Sequence, residues 1–170
     1  MLFWRLGAVT FLFRWIFRDP IVDMRFLAVG VVLPDLIDLV AATLVGADDA
    51  RLWGHSLLVP STLAITILLA TRRGRRRRAW MALVVAWMLH LVVDQMWFHE
   101  HILFWPVFGW DIVVPSSDGF WAAAWGRALS DPWRWVLEFV GVAYLAWLYV
   151  TSGLRDAKAR ERLMSTGRLV

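Results

Sequence analysis

Four ionisable side chains lie inside long apolar stretches of this sequence, where a charged group is costly. They are Asp35, Asp38, His90 and Asp94. A carboxylate at the centre of a membrane helix costs about 2.5–3.5 kcal/mol on insertion scales, so such residues usually face the interior of a bundle and have a function. His55 lies near the end of another apolar stretch. These five side chains are the candidates for chemistry.

The spacing of these residues predicts two shared helix faces. His90 and Asp94 are four positions apart, and side chains at that spacing are neighbours on a helix. Asp35 and Asp38 are three apart and follow Pro34, which removes one backbone hydrogen bond from its helix. Two close acids repel each other unless one is protonated or a cation lies between them. Because the chain has no cysteine, a divalent ion such as zinc or manganese would be held by imidazole and carboxylate groups.

Each candidate also has a structural interpretation. A buried histidine often only hydrogen-bonds within the core, and intramembrane acids can be proton relays or partners of neighbouring helices. His55 and the serine after it are compatible with a simple helix start, because serine often caps helices. His99 and His101 are interpreted as solvated interface residues, and Glu138 as a local partner of Arg134 one turn earlier.

The apolar stretches that carry the candidates have the length of membrane helices. Of the 170 residues, 60% are hydrophobic and 19% are charged, and a soluble domain of this size cannot bury so much apolar surface. We predict an all-α, polytopic membrane helix bundle that forms one integral membrane domain over residues 1–170. Residues 1–18 are expected to be an N-terminal interfacial helix, and residues 99–132 an extracytoplasmic loop. Four transmembrane helices are expected at residues 26–46, 52–71, 79–98 and 133–151.

Positive charge orients the predicted bundle. Of the 18 lysines and arginines, all except Arg51, Arg127 and Arg134 precede the first span, lie in the turn of residues 72–78, or follow the fourth span. The positive-inside rule therefore predicts a multi-pass protein of the inner (plasma) membrane with both termini in the cytoplasm. If residues 1–18 cross the membrane, the N-terminus lies outside instead. The arginine turn could bind anionic lipid, but its position favours a topology signal, and nucleic acid is not an expected partner.

The candidate residues stand in an order that resembles a known family. The motifs are Leu33-Pro34-Asp35-Leu36-Ile37-Asp38, Gly54-His55-Ser56, His90-Leu91-Val92-Val93-Asp94 and Phe104-Trp105-Pro106-Val107-Phe108. Over about residues 26–111 this order resembles the YdjM-like family of inner-membrane metal-dependent hydrolases. That family is distantly grouped with zinc-dependent phospholipase C and related nucleases.

The resemblance implies a metal centre and a hydrolytic reaction on a phosphoester-like bond. The family often has a His-Arg pair five residues before the second-span His-Ser, and this chain has Ala50-Arg51 there. The resemblance therefore implies that one family ligand is missing. The ligands it implies here are Asp35, Asp38, His55, His90 and Asp94.

The expected function is that of a membrane-bound hydrolase that uses a divalent metal ion, zinc or alternatively manganese. Asp35 or Asp38 would be the general base if it is not a ligand. The site is expected in the outer half of the membrane, which suits a lipid-linked or phosphoester substrate and makes membrane lipids the expected partners. One alternative is an ion- or proton-coupled transporter, which would need a homo-oligomer to form a path. Another is a non-catalytic membrane scaffold with a degenerate metal site.

Overall fold

The computed structural model describes residues 1–19, 21–45, 51–111, 126 and 129–169. All regular secondary structure in these residues is helical, with no strand, so the all-α prediction is confirmed for them. Ala50, Arg127 and much of the predicted loop 99–132 lie outside the described residues. The helices are α1 (Leu2–Phe17), α2 (Met24–Val45), α3 (Leu58–Ala70), α4 (Arg75–Val93), α5 (Glu100–Leu103), α6 (Pro132–Thr151) and α7 (Ala157–Thr166), with 3-10 turns at Trp53–His55 and Met96–Phe98.

The centre of the bundle is the pair α2 and α4, with α1 and α3 packed beside it. A glycine makes the central pair close: a Cβ atom on Gly30 would overlap the backbone carbonyl of Leu83. Buried apolar side chains fill the rest of the interface, among them Leu27, Val31 and Trp87. This close packing fixes the register in which α2 and α4 present their polar residues to each other.

Helix α1 packs within the bundle and runs in the same direction as α6. The backbone N–H groups of Phe3 and Trp4 donate to the Glu138 carboxylate, at 2.8 and 3.2 Å. Further along both helices, the rings of Phe11 and Tyr144 meet edge to face with centroids 5.7 Å apart. The predicted interfacial helix is therefore a packed bundle helix in the structure, with contacts to α2, α4 and α6.

The two ends of the chain lie at opposite ends of the bundle. Residues just before and at the start of α2 contact the C-terminal segment, where the Met24 N–H donates to the Gly167 carbonyl at 2.7 Å and Arg25 donates to the Met164 carbonyl. The start of α1 lies a full helix length away, about 24 Å for 16 residues at 1.5 Å each. The prediction that both termini share one side does not match this arrangement.

Two predicted spans differ from the observed helices for local reasons. The segment 52–71 is a 3-10 turn, an extended residue at Ser56 and then α3, because Pro60 lacks an N–H and fits only the first turn of a helix. The segment 79–98 begins earlier, at Arg75, and its helix ends at Val93 because Gln95 adopts a left-handed conformation with φ 54°. The last span occupies its predicted range and begins at Pro132, one residue early.

The surface of the described bundle is strongly apolar. Large side chains face outward, for example Leu44 at 80% exposure, Leu69 at 83% and Phe139 at 71%. Among the described residues, Met24–Val45 is the one helix that is both long and apolar enough to cross a membrane by length and composition, and Leu58–Ala70 is a shorter apolar helix. Exposed apolar surface on this scale indicates a lipid or protein environment.

Candidate metal centre

Three separate elements bring the polar candidates together near the middle of α2. Asp35 and Asp38 come from α2, His55 from the 3-10 turn that lies over α2, and His90 from the last turns of α4. Asp94 is the residue at which α4 ends, and its N–H still bonds to the His90 carbonyl at 2.9 Å. The turn is held against the bundle because the Trp87 indole N–H donates to the Gly54 carbonyl at 2.8 Å.

His90 is completely buried and has one ring nitrogen fixed by the backbone. Its Nδ1 lies 2.7 Å from the Val31 carbonyl oxygen, which can only accept a hydrogen bond. The Nδ1 atom therefore carries the proton. In the neutral ring, Nε2 is left with a free lone pair that points into the cluster.

His55 is fixed in the same way, by a carboxylate instead of a carbonyl. Its Nδ1 lies 2.7 Å from Asp38 Oδ2, and both side chains have no exposed surface. The Asp38 carboxylate also accepts the N–H groups of Leu52 and Gly54, each at 2.6 Å. A carboxylate on the far nitrogen of a histidine is the common second partner of metal-bound histidines, since it orients the ring and raises its basicity.

The two histidines point their remaining nitrogens at each other. His55 Nε2 and His90 Nε2 are 3.3 Å apart, with the rings edge to face. Each has its hydrogen on the opposite side of the ring, so two lone pairs face one another. Such an arrangement is stable only with a cation between the two nitrogens, which is either a proton or a metal ion.

A carboxylate oxygen faces the same point. Asp35 Oδ1 lies 3.6 Å from His55 Nε2 and 3.8 Å from His90 Nε2, so one atom from each residue falls in a group with all separations within 4.8 Å. Ligands about 2.0–2.1 Å from a tetrahedral zinc ion lie about 3.4 Å from one another. The buried Asp35–His55–His90 group can therefore hold a metal ion with little movement. Asp94 Oδ2 is also 3.6 Å from His55 Nε2.

Comparison with known families places this cluster in context. The family described as YdjM inner membrane protein matches residues 4–156, which include every residue of the cluster. The chain belongs to this YdjM family. Comparison with curated proteins and with solved structures gives no match. Membership confirms the family resemblance seen in the motifs and the inner-membrane character, whereas the family description names no reaction.

Arg5 of this YdjM protein is a site residue that the motifs do not include. Its guanidinium donates to both oxygens of Asp94, at 2.7 and 2.5 Å, and to Asp35 Oδ2 at 2.5 Å. Arg51 Nε adds a longer contact of 3.7 Å to Asp94. The available signal was a charged residue one turn into the mostly apolar α1, which the sequence pattern alone assigns to topology.

The structure separates the five predicted ligands of the YdjM protein into two groups. Asp35, His55 and His90 face one point, with Asp94 beside His55. Asp38 instead lies behind His55, with its oxygens occupied by three N–H donors.

The other polar candidates of the YdjM protein lie elsewhere. His99 Nε2 contacts the Arg51 guanidinium at 3.0 Å, and His101 is exposed against Phe108. The predicted partner of Glu138, Arg134, pairs with Asp131 instead. Glu138 binds the first turn of α1, where it satisfies backbone donors that a helix start leaves free.

Proposed function

We propose that this YdjM family member is a multi-pass inner membrane protein that binds a divalent metal ion and hydrolyses a phosphoester-like or lipid-linked substrate. The observation that carries the proposal is the pair of facing Nε2 atoms of His55 and His90, 3.3 Å apart. A proton between the rings would use those two nitrogens alone. The Asp35 oxygen that faces the same point favours a metal ion with three protein ligands.

The donor set fits zinc first and manganese second. Two imidazole nitrogens and one carboxylate oxygen with an open position are typical of catalytic rather than structural zinc sites. When bound, such an ion supplies a Lewis acid that activates water at neutral pH and stabilises negative charge on a phosphoryl oxygen. Asp38 and the Val31 carbonyl keep both rings oriented, so each presents its Nε2 before any ion arrives.

The remaining charged residues have separate tasks in this proposal. Asp94 Oδ2 lies 3.6 Å from His55 Nε2, but both Asp94 oxygens bind Arg5, so the task of Asp94 is to hold that guanidinium beside the cluster. The Arg5 guanidinium lies between Asp94 and Asp35 and binds both carboxylates. Its positive charge beside the cluster suits an anionic substrate. The predicted base or ligand role of Asp38 is left out of this proposal, because its oxygens are occupied and it has no exposed surface.

The position of the cluster supports a substrate that comes from the membrane. Asp35 is 29% exposed whereas the histidines are fully buried, so the cluster opens on the Asp35 side. We place the arginine turn in the cytoplasm, following the positive-inside rule. The start of α1 and the cluster then lie toward the outer leaflet, and α1 to α4 and α6 cross the membrane.

The direct test is the metal content of the purified protein in detergent, measured by elemental mass spectrometry. The wild type is expected to hold about one zinc or manganese ion per chain after dialysis, because three preorganised ligands bind tightly. A His90→Ala variant is expected to lose it. The matched control is His101→Ala, which removes an exposed histidine outside the cluster and should keep the metal.

Activity is the second measurement. The metal-loaded wild type is expected to cleave an aryl phosphodiester or a phospholipid, and the His90→Ala variant should not. A folded wild type that cannot be loaded with any divalent ion would contradict the proposal. Metal-driven or proton-driven flux in proteoliposomes would favour the transporter alternative. Tight metal without hydrolysis of any phosphoester would favour the scaffold with a degenerate site.

A further inference from the structure

A second polar region lies at the other end of the bundle, where α2 and α4 begin and the C-terminal segment ends. It is a cavity of about 640 Å³, here called the basic cavity. Arginines from three separate parts of the chain line it. They are Arg25 in the first turn of α2, Arg75, Arg76 and Arg78 in the first turn of α4, and Arg168 after α7.

Positive charge in the basic cavity exceeds the negative charge that the protein supplies. The carboxylate in its lining is Asp23, which is already bound by Arg25 through contacts of 2.7 and 3.0 Å. Among the described residues, Arg75, Arg76 and Arg78 take part in no ion pair. Several guanidinium groups on one concave surface repel each other unless an anion lies between them.

Arg168 brings a further guanidinium to the cavity from the C-terminal segment. Its Nε atom is buried and has no hydrogen-bond partner. A buried N–H without an acceptor is costly, particularly on a charged group, and such orphans are rare. Arginine binds phosphate oxygens through charge-assisted hydrogen bonds, so a phosphate group is the acceptor that suits this lining best.

The cavity also has an apolar side. The rings of Phe26 and Trp80 pack edge to face there, with centroids 5.1 Å apart, and Trp80 is 36% exposed. Tryptophan is enriched at the headgroup level of membranes. A free phosphate ion would leave these rings in water, whereas a lipid would cover them with its glycerol and acyl region.

We infer that the basic cavity binds the phosphate headgroup of an anionic phospholipid in the leaflet at that end of the bundle. Basic pockets between membrane helices bind such headgroups in other proteins. The inference is independent of the proposed hydrolase reaction, because the cavity and the histidine cluster occupy opposite ends of α4. It predicts a lipid that stays with the protein and stabilises it.

The arginine turn provides a matched pair of variants. Arg75→Gln with Arg78→Gln removes two charges from the cavity lining. Arg72→Gln with Arg73→Gln removes the same charge from the same turn, from positions that do not line the cavity. Diffuse attraction between the turn and the membrane would weaken equally in both, whereas a built site would be lost only in the first.

The measurement is native mass spectrometry of the full chain in detergent with added phosphatidylglycerol, together with the shift in melting temperature. The wild type and the control pair are expected to retain phosphatidylglycerol and gain stability from it. The cavity pair, which lacks two charges, should bind roughly thirtyfold more weakly, given about 1 kcal/mol per basic residue at such surfaces. Phosphatidylcholine and inorganic phosphate, used as separate probes, should give no comparable shift.

Three results would overturn the inference. They are equal losses in both arginine pairs, equal stabilisation by phosphatidylcholine, and full reproduction of the lipid effect by inorganic phosphate. Helical content by circular dichroism and metal content serve as folding checks for the cavity pair. If that pair does not fold, Arg168→Gln decides the matter, because it removes one arginine from the cavity lining and leaves α4 unchanged.

Discussion

Charged side chains are paired at one end of this bundle and in excess of one sign at the other. At the histidine end, the charged groups of the cluster are paired: Arg5 joins two aspartates, and Asp38 accepts three N–H donors. At the arginine end, one carboxylate, Asp23, is surrounded by a larger number of guanidinium groups and is occupied by one of them. In the first region two histidine nitrogens face each other at a distance that suits a shared cation. The second has an excess of positive charge, for which we infer an anion from outside.

The difference shows how each region depends on the rest of the fold. Fully paired buried charges hold their ligands rigidly before binding, so mutation there should affect stability as well as metal affinity. Exposed arginines around a cavity hold little structure together, so mutation there should mainly affect what binds. Three substitutions of single charged residues, two at the histidine end and one at the arginine end, test this contrast.

The largest effect is expected from Asp38→Asn. An amide cannot accept all three N–H donors and turns a donor toward one of them, so the turn that carries His55 loses its anchor. Stability should fall by about 3–5 kcal/mol, the usual loss when a buried charged partner is removed. Metal affinity should fall by about 10–100-fold as the ring loses its orientation. Unfolding in detergent and metal titration would measure the two effects.

The control for this prediction is Asp111→Asn, an exposed carboxylate near the end of the described loop. It should leave both quantities unchanged. Wild-type stability in the Asp38→Asn variant would contradict the assigned role of Asp38.

A smaller loss of stability, which depends on whether metal is bound, is expected from Arg5→Gln. Asp35 and Asp94 lose the guanidinium that separates them, and repulsion between them should destabilise the metal-free protein by about 2 kcal/mol, less than for a wholly buried pair. A bound divalent ion replaces the missing positive charge. The loss should therefore shrink when zinc is added.

Melting temperatures with and without zinc, compared with those of Arg14→Gln, test this dependence. Arg14 lies on the same helix, about two and a half turns later, outside the cluster. A loss of stability that zinc does not reduce would mean that Arg5 acts only by anchoring α1.

The smallest effect is expected from Asp23→Asn at the arginine end. The hydrogen bond from Arg25 holds the pKa of the Asp23 carboxyl below its usual 3.8. A carboxyl with a lowered pKa stabilises the fold above its unfolded pKa and loses that contribution as the pH falls through the folded value. The variant should therefore differ slightly from the wild type at pH 7, and the difference should shrink as the pH falls below 3.8.

The measurement is the difference in melting temperature between the two proteins from pH 7 to pH 3. A difference that stays constant over this range would show that the side-chain shape, and not its charge, matters at position 23. A large difference in melting temperature at neutral pH would contradict the expected difference between the two ends of the bundle.

Local patterns predict the elements of this protein well and their mutual contacts poorly. The apolar stretches and the His90-x-x-x-Asp94 spacing locate the helices and one side of the cluster, because helical periodicity is a property of neighbouring residues. The three-residue spacing of Asp35 and Asp38 also places both on one helix face. It does not show that the turn 53–55 lies over that face and captures Asp38, since this depends on the Trp87 bond to Gly54.

Arg5 is a second case in which local sequence patterns do not predict contacts between elements. In the sequence it is one of several positive charges before the first apolar stretch, and the positive-inside rule assigns it to the cytoplasm. Its partners are 30 and 89 positions away, and no local pattern connects them. The arrangement of α1 beside α6 depends on Gly7 and Gly141, whose backbones approach closely enough to exclude side chains.

The distance in sequence between Arg5 and Asp94 also has a consequence for how the protein is made. Helix α1 leaves the ribosome before α2 and α4, and Asp94, which binds the Arg5 guanidinium through both carboxylate oxygens, follows 89 residues later. Until α4 has been made, Asp35 is the one of these two carboxylate partners that is present. The ion-pair network around Arg5 is therefore completed only when the end of α4 is added.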